Sequence, residues 1–355
     1  MCNLCKIFAL NYVFSFNLHF NKFLIMEKSK YESIYNEYQN LIQREIDVTL
    51  ANNQPINIYG PLQYLLEAGG KRLRPLLTMA SVKLVGGSPI DALKPAVAVE
   101  LLHNFSLIHD DIMDNAPIRR NKQTIHTKWN NSIGILSGDL LLAISFKKGI
   151  EDFDEHISNL IMESMINALL EICEGQGYDL DYETRQDLSI EDYLRMIDKK
   201  TAKLIENAML IGGYVGKANE SQLNLLRQIG NNIGLGFQIQ DDLLDLSAAT
   251  PKFGKMCGQD LKEGKKTYLF FIAKMQITDK SSLELLDKFL INKGLSEEDI
   301  PIMIEIFRNN GVFDIAKNMI NEYYNKTLDL LSNFPDNEGK EFLEQLIRNI
   351  FEREY

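Results

Sequence analysis

Cysteine is scarce in this 355-residue chain, and what there is lies scattered. Cys2, Cys5, Cys173 and Cys257 make no disulfide framework, so a reducing cytoplasm is the expected setting. Cys2 and Cys5 have the CxxC spacing, but no second pair or histidine partner completes a zinc site. Basic charge is in deficit: 38 Lys and Arg stand against 49 Asp and Glu, a net charge of −11. That balance argues against general nucleic-acid binding. No apolar run reaches the ~18 residues that suggest a membrane span, so no stable membrane insertion is expected. Proline is missing from 118 to 250. It disrupts helix interiors, so its absence fits long helices. Strand-like alternation is almost absent as well.

Apolar residues recur instead at helical spacing. The pattern covers 27–50, 61–68, 75–85, 135–146, 157–173, 190–215 and 222–246. It returns over 267–280, 283–292, 297–309, 312–332 and 336–353. With 45% hydrophobic residues the chain can bury a large core. No linker or composition break divides it. The reading is all-α: one large single-domain helical bundle over 26–355. Residues 1–25 stand apart, rich in Phe and Tyr and interrupted by Asn11, Asn17, His19, Asn21 and Lys22. They lack the continuous apolar centre of a signal peptide. The expectation is that translation begins at Met26 and that 1–25 is an extension outside the native fold.

Two acidic stretches stand out against this apolar background. Leu107-Ile-His-Asp-Asp-Ile-Met-Asp114 carries Asp110, Asp111 and Asp114, and Phe237-Gln-Ile-Gln-Asp-Asp-Leu-Leu-Asp245 carries Asp241, Asp242 and Asp245. Residues i and i+4 share a helix face, so Asp110 and Asp114 point the same way, as do Asp241 and Asp245. Carboxylates inside an apolar helix need a counter-charge. A hard divalent cation supplies one through oxygen ligands. The plain alternative for either stretch alone is an acidic helix face, or a first turn complementing the helix dipole. Two copies in matching apolar settings favour metal, with the two helices facing each other inside the bundle.

The basic residues gather beside these carboxylates. Lys71, Arg72 and Arg74 open a helix, where backbone N–H groups also attract anions. Arg119 and Arg120 follow the first cluster, Lys199, Lys200 and Lys203 flank Thr201, and Lys252, Lys255, Lys262, Lys265 and Lys266 follow the second. Divalent metal ringed by Arg and Lys is the environment of a diphosphate. Lys199 and Lys262 are read as ordinary surface charge.

Six ordered blocks make the chain recognisable: GGKRLRP (69–75), LLHNFSLIHDDIMDNAPIRR (101–120), GQGYDLDYE (175–183), KTAKL (200–204), GFQIQDDLLDL (236–246) and GKMCGQDLKEGKKT (254–267). From about residue 30 to its end the sequence resembles the trans-isoprenyl diphosphate synthases, or polyprenyl synthetases. The resemblance implies antiparallel helices around a deep central cavity, usually in a homodimer. It implies three Mg²⁺ ions between the Asp clusters and an allylic diphosphate (dimethylallyl, geranyl or farnesyl). That diphosphate ionises and is attacked by isopentenyl diphosphate. Asp110, Asp114 and Asp241 then match direct metal ligands, and Asp245 supports the third ion. Asp111 and Asp242 act through cations or water. Lys71, Arg74, His103 and Arg120 match the isopentenyl diphosphate site. Arg119, Lys200, Thr201, Gln238, Lys255 and Lys265 match the allylic side, with Lys200 and Thr201 also steadying the carbocation. Gln176, Asp179 and Glu183 are read as architectural or as supports behind the residues that touch substrate.

In this family, side chains one to two turns before the first cluster floor the cavity, which singles out Phe105 and Ser106. A bulky ring backed by a small serine, with two residues between the Asp pair and the last Asp, implies geranylgeranyl diphosphate, with farnesyl diphosphate next. Tyr268-Leu269 departs from the Leu-Pro usual after Lys-Thr. A class I terpene cyclase shares the fold but lacks the GGKRxRP block. A non-catalytic subunit usually loses one Asp cluster, and both are intact here.

Overall fold

The computed structural model describes residues 30–247 and 257–352. The expected start at Met26, like Lys252 and Lys255, lies outside them. Helix α1 covers 30–50. It is followed by α2 (Ile56–Leu66), α3 (Leu73–Leu84), a 3₁₀ turn (Pro89–Ala92) and α4 (Leu93–Met113). A two-stranded hairpin, β1 (Ile118–Arg119) and β2 (Lys122–Gln123), leads to the short α5 (Ile125–Lys128). Then come α6 (Asn131–Gly149), α7 (Glu155–Thr184), α8 (Ile190–Ile197), a π-turn (Asp198–Ala202), α9 (Lys203–Val215) and α10 (Glu220–Ser247). The remainder is α11 (Gln259–Glu263), α12 (Tyr268–Gln276), α13 (Lys280–Asn292), α14 (Ile300–Asn309), α15 (Val312–Leu331) and α16 (Glu338–Phe351). The all-α reading holds, and the hairpin is the only sheet among the described residues.

Helix starts follow local chemistry. The Asn130, Asp154, Asp279 and Asn337 side chains accept from N–H groups of the first turns of α6, α7, α13 and α16. Ser189 and Asp192 form a capping box on α8. The α2 helix begins at Ile56, earlier than the proline at 61 suggested, and carries Pro61 inside.

Helix α9 is the central post. It is buried from Leu204 through Gly213 and packs against α3, α4, α7 and α10. The α4 helix lies along α6, and α10 lies along α9 and α15. Helix α9 thus touches both Asp-bearing helices, α4 and α10.

Two local features depart from the sequence pattern. The continuous helix expected over 190–215 is broken by the π-turn at 198–202. Single π-turns interrupt helices frequently at functional sites. The segment after the first Asp cluster folds into the hairpin, registered Ile118 to Gln123 and Arg119 to Lys122. Its turn residues Arg120 and Asn121 have φ of 51° and 60°. Positive φ at both central residues is what a type I′ turn requires.

Candidate active site

The first Asp cluster lies at the C-terminal end of α4. Asp110 is half-buried, Asp111 is buried, and Asp114 is the exposed residue that ends the helix. Only Asp111 fits the expected buried carboxylate, and it has its counter-charge: Arg119 Nε donates to it at 2.6 Å. Burial pushes the Asp110 carboxyl up from its ordinary range, and nearby Lys200 pulls it back. Burial also raises Asp111, against the pull of Arg119.

The second cluster lies at the C-terminal end of α10. Asp242 is buried and accepts from the Tyr193 hydroxyl, from Gln238 Nε2 at 3.1 Å and from the Tyr268 N–H at 3.2 Å. It therefore ties α10 to α8 and α12. The Tyr268 contact is made by its backbone N–H, which a leucine at that position would supply equally. Asp245 takes the N–H of Asp260 on its carboxylate (3.0 Å) and that of Gly258 on its carbonyl (2.8 Å). Asp241 is half-buried beside them.

Both clusters thus occupy the negative ends of helix dipoles, where carboxylates are disfavoured. The alternative of a first turn complementing the dipole is excluded. Among the described residues, no three Asp, Glu, His or Cys side chains converge into a ready-made metal cage. Their donors are all hard carboxylate oxygens. That pattern suits Mg²⁺, which keeps waters and is held by one or two carboxylates together with substrate phosphates.

Asp260, not singled out from sequence, belongs to this end of the bundle. Burial and the neighbouring Asp245 and Asp242 push its carboxyl up. Burial opposes the charge of Lys265, but Asp260, Glu263 and Asp114 outweigh it and keep the ammonium protonated. Lys265 therefore lies between Asp114 of the first cluster and Asp260, the neighbour of the second. The available signal was one more acid, Asp260, inside an already basic and Gly-rich block.

Lys200 and Thr201 sit on the π-turn. Lys200 Nζ pairs with Asp179 at 2.6 Å, and Thr201 Oγ1 donates to Gln238 Oε1 at 2.9 Å. With the Gln238–Asp242 bond this makes a chain from the π-turn to the second cluster. Glycines let the neighbouring helices approach the turn. A Cβ at Gly175 would meet Lys200 Cα at 2.7 Å, and one at Gly234 would meet the Ala202 Cβ at 2.6 Å. Asp179 is therefore the direct partner of a predicted substrate lysine. Gln176, one turn earlier on α7, is buried with neither amide atom hydrogen-bonded among the described residues. Lys199 is held by Glu171 and Glu174, as a surface lysine would be.

A second cationic group gathers around the 69–74 loop. Burial and the charges of Arg74, Arg120, Arg119 and Arg72 hold the His103 imidazole well below its ordinary 6.5. The structure thus brings His103, Arg74, Arg119 and Arg120 together. Arg120 donates to the Gly69 carbonyl, and the Lys71 carbonyl accepts from Tyr35 and Gln39. Arg72 points inward to Glu100 at 2.8 Å and is no part of the exposed cationic face. Phe105 is 8% exposed, with its ring 4.7 Å from that of His109. Ser106 donates to the His103 carbonyl at 2.8 Å. A cavity of about 450 Å³ opens between α1, α16 and the loop residues Lys71 and Leu73, so Lys71 borders it, and its lining holds no aspartate.

The polyprenyl synthetase family model matches residues 56–307. This chain belongs to the polyprenyl synthetase family. The match takes in both Asp clusters, the hairpin arginines and the π-turn. The synthetase is 33% identical over 322 residues to the short chain isoprenyl diphosphate synthase of Methanothermobacter thermautotrophicus, covering 91% of this chain and 98% of that one. The crystal structure of geranylgeranyl pyrophosphate synthetase from Pyrococcus horikoshii superimposes with a TM-score of 0.85 at 34% identity, covering 92% and 100% of the two chains. Polyprenyl synthase from Caulobacter crescentus, complexed with calcium and isoprenyl diphosphate, gives 0.83 at 30% identity, covering 92% and 97%. The synthetase is an enzyme that transfers prenyl groups, of the short-chain type.

Proposed function

We propose that this synthetase joins isopentenyl diphosphate to an allylic diphosphate, with dimethylallyl, geranyl and farnesyl diphosphates as candidate primers, and makes geranylgeranyl diphosphate. The observation that carries this is the pairing of two carboxylate clusters with two cationic groups. Arg119, Lys200 and Lys265 lie beside the carboxylates, while His103, Arg74 and Arg120 gather at the 69–74 loop. Two diphosphates need two such groups, whereas a cyclase needs one.

Asp110, Asp114, Asp241 and Asp245 are the residues that would hold Mg²⁺, with three ions per site in our reading. When bound, the metal neutralises the allylic diphosphate and makes it a better leaving group. Arg119, Lys200 and Lys265, joined by Lys255, grip that diphosphate. The Thr201 hydroxyl donates its hydrogen bond to Gln238, so its oxygen presents lone pairs to a developing allylic cation. Lys71, Arg74, His103 and Arg120 hold the second diphosphate. His103 stays neutral among its arginines, so it orients without adding charge. The isopentenyl double bond attacks the cation, and the departing diphosphate takes the proton released. The protein's contribution is positioning and electrostatics.

Phe105 floors the prenyl cavity in this reading. Its burial against His109 supports that role, and Ser106 leaves depth beside it. We assign the enzyme to a homodimer. Ile135 and Leu136 on α6 are exposed, as are Ile166, Leu170 and Leu180 on α7, and a second copy would cover them. Its proposed place is the cytoplasm. No helix among the described residues is long and apolar enough to cross a membrane.

Incubation with Mg²⁺, isopentenyl diphosphate and each primer in turn, followed by chromatography of the dephosphorylated products, tests the reading. A C20 alcohol is expected. A cyclic hydrocarbon would point to a cyclase, and no elongation from any primer to a non-catalytic subunit.

A further inference from the structure

Two arginines with left-handed backbone, Arg72 (φ 48°) and Arg120 (φ 51°), meet at one loop. Such a conformation is disfavoured for a side chain of this size and persists only where the surroundings over-determine it. Lys217 and Lys293 share it, but they follow the ends of α9 and α13, where it is ordinary. The surroundings of Arg72 are unusually complete. Its side chain is buried at 4% exposure. Nη1 donates to Glu100 Oε1 at 2.8 Å, and Nη2 donates to Gln43 Oε1 at 2.9 Å and to the Leu66 carbonyl at 2.8 Å. Asn104 donates to the same Glu100 oxygen at 3.2 Å.

The preceding peptide is held from the same side. Tyr35 and Gln39 donate to the Lys71 carbonyl at 3.3 and 3.1 Å. Tyr35, Gln39 and Gln43 fall four residues apart, so one polar stripe of α1 grips two successive residues of the loop. On the opposite side the Arg120 guanidinium lies on Gly69 and Gly70. A Cβ at Gly70 would meet Arg120 Nη1 at 3.0 Å. The only residues between Lys71 and Arg74 are Arg72 and Leu73. The φ of Arg72 therefore decides how those two cations are aimed relative to one another.

We infer that Arg72, with its cradle of Gln43 on α1 and Glu100 on α4, is a positioning residue that fixes Lys71 and Arg74 on one diphosphate and so sets the affinity for isopentenyl diphosphate. This rests on the proposed role of Lys71 and Arg74 as the anchor of that substrate. None of the cradle residues need touch the ligand. Their effect belongs to the binding of one substrate, because the allylic side is carried by Arg119, by the π-turn and by Lys265, none of which the cradle residues contact.

The test is steady-state kinetics on the full chain, varying each substrate separately, with thermal unfolding of every variant. Arg72→Met with Glu100→Leu removes both buried charges together, which avoids leaving either one orphaned. The expected result is about a tenfold rise in KM for isopentenyl diphosphate, with kcat and the allylic KM within about twofold. Gln43→Leu gives a smaller rise in the same KM, and it decides the matter if the double variant does not fold. Lys71→Ala tests the underlying assignment. If it leaves the isopentenyl KM unchanged, that assignment fails and the inference with it. If it raises this KM while the cradle variants do not, the positioning role alone is overturned. A parallel loss of kcat and both affinities in proportion to lost stability would make the cradle merely structural and overturn it too.

Discussion

Gly175→Ala separates the position of the π-turn from the stability of the bundle. The added methyl would lie 2.7 Å from Lys200 Cα and 2.9 Å from the Lys199 carbonyl carbon, with the Lys200 nitrogen closer still. All three are backbone atoms, so no side chain can swing aside. Ordinary contact begins at 3.4 Å, and a close-packed interior must therefore part here by about 1 Å. Overpacking of this kind costs about 1–3 kcal/mol, of which the better helix propensity of alanine returns about 1 kcal/mol. The net of about 0–2 kcal/mol corresponds to a fall in melting temperature of only a few degrees. Catalysis is far more sensitive, since a misplacement of about 1 Å costs on the order of 10²-fold. Lys200 and Thr201 both ride on the displaced segment. The expected variant is folded, melts within about 5 °C of the parent and has kcat about 100-fold lower. Radiolabelled isopentenyl diphosphate incorporation and scanning calorimetry measure the two quantities. A kcat within about threefold of the parent at unchanged melting temperature would refute the argument that these glycines place catalytic groups.

Phe105→Ala should lengthen the product by at least one isoprene unit, read as a longer alcohol by reversed-phase chromatography; an unchanged product would sink the floor assignment. Asp110→Ala and Asp241→Ala should each remove most turnover with helical circular dichroism retained, and chelation of the wild type should do the same until Mg²⁺ is restored. The folded-state pKa of His103 lies below its ordinary 6.5. The unfolded chain therefore takes up a proton first as pH falls through 6.5, and stability declines below that value. His103→Gln should flatten the fall in melting temperature between pH 7 and pH 5, roughly the window below the ordinary histidine pKa. An identical slope in wild type and variant would show that His103 is not the group responsible.

The helices and the Asp clusters were legible because both leave periodic marks: apolar residues every three to four positions, and carboxylates at i and i+4. What escaped leaves no such mark. The π-turn adds one residue of slip inside 190–215 without changing composition, so the pattern reads as one helix. The strands of the 118–123 hairpin are two residues each, too short to alternate, and its left-handed Arg120 is an unusual choice for a type I′ turn. Arg72 looked like one more cation in a basic run, since nothing local distinguishes a buried guanidinium from an exposed one. A signal for it did exist. Glu100 is an isolated acid within the apolar run 96–108, and a buried acid calls for a buried base. The two clusters share a spacing and an apolar setting, but contacts from α8 and α12 turn Asp242 into a fastening between helices, and only folding brings those elements near.

The placement of six aspartates where two helix axes run out has a thermodynamic corollary. Such a site repels its own occupants' partners when only half filled: a bare pyrophosphate meets like charge, and a lone cation meets too few oxygens to shed its water. Each therefore completes the binding surface for the other. Calorimetric titrations should show strong positive linkage, with weak heats for either species added singly and a steep, salt-sensitive isotherm when the second follows the first.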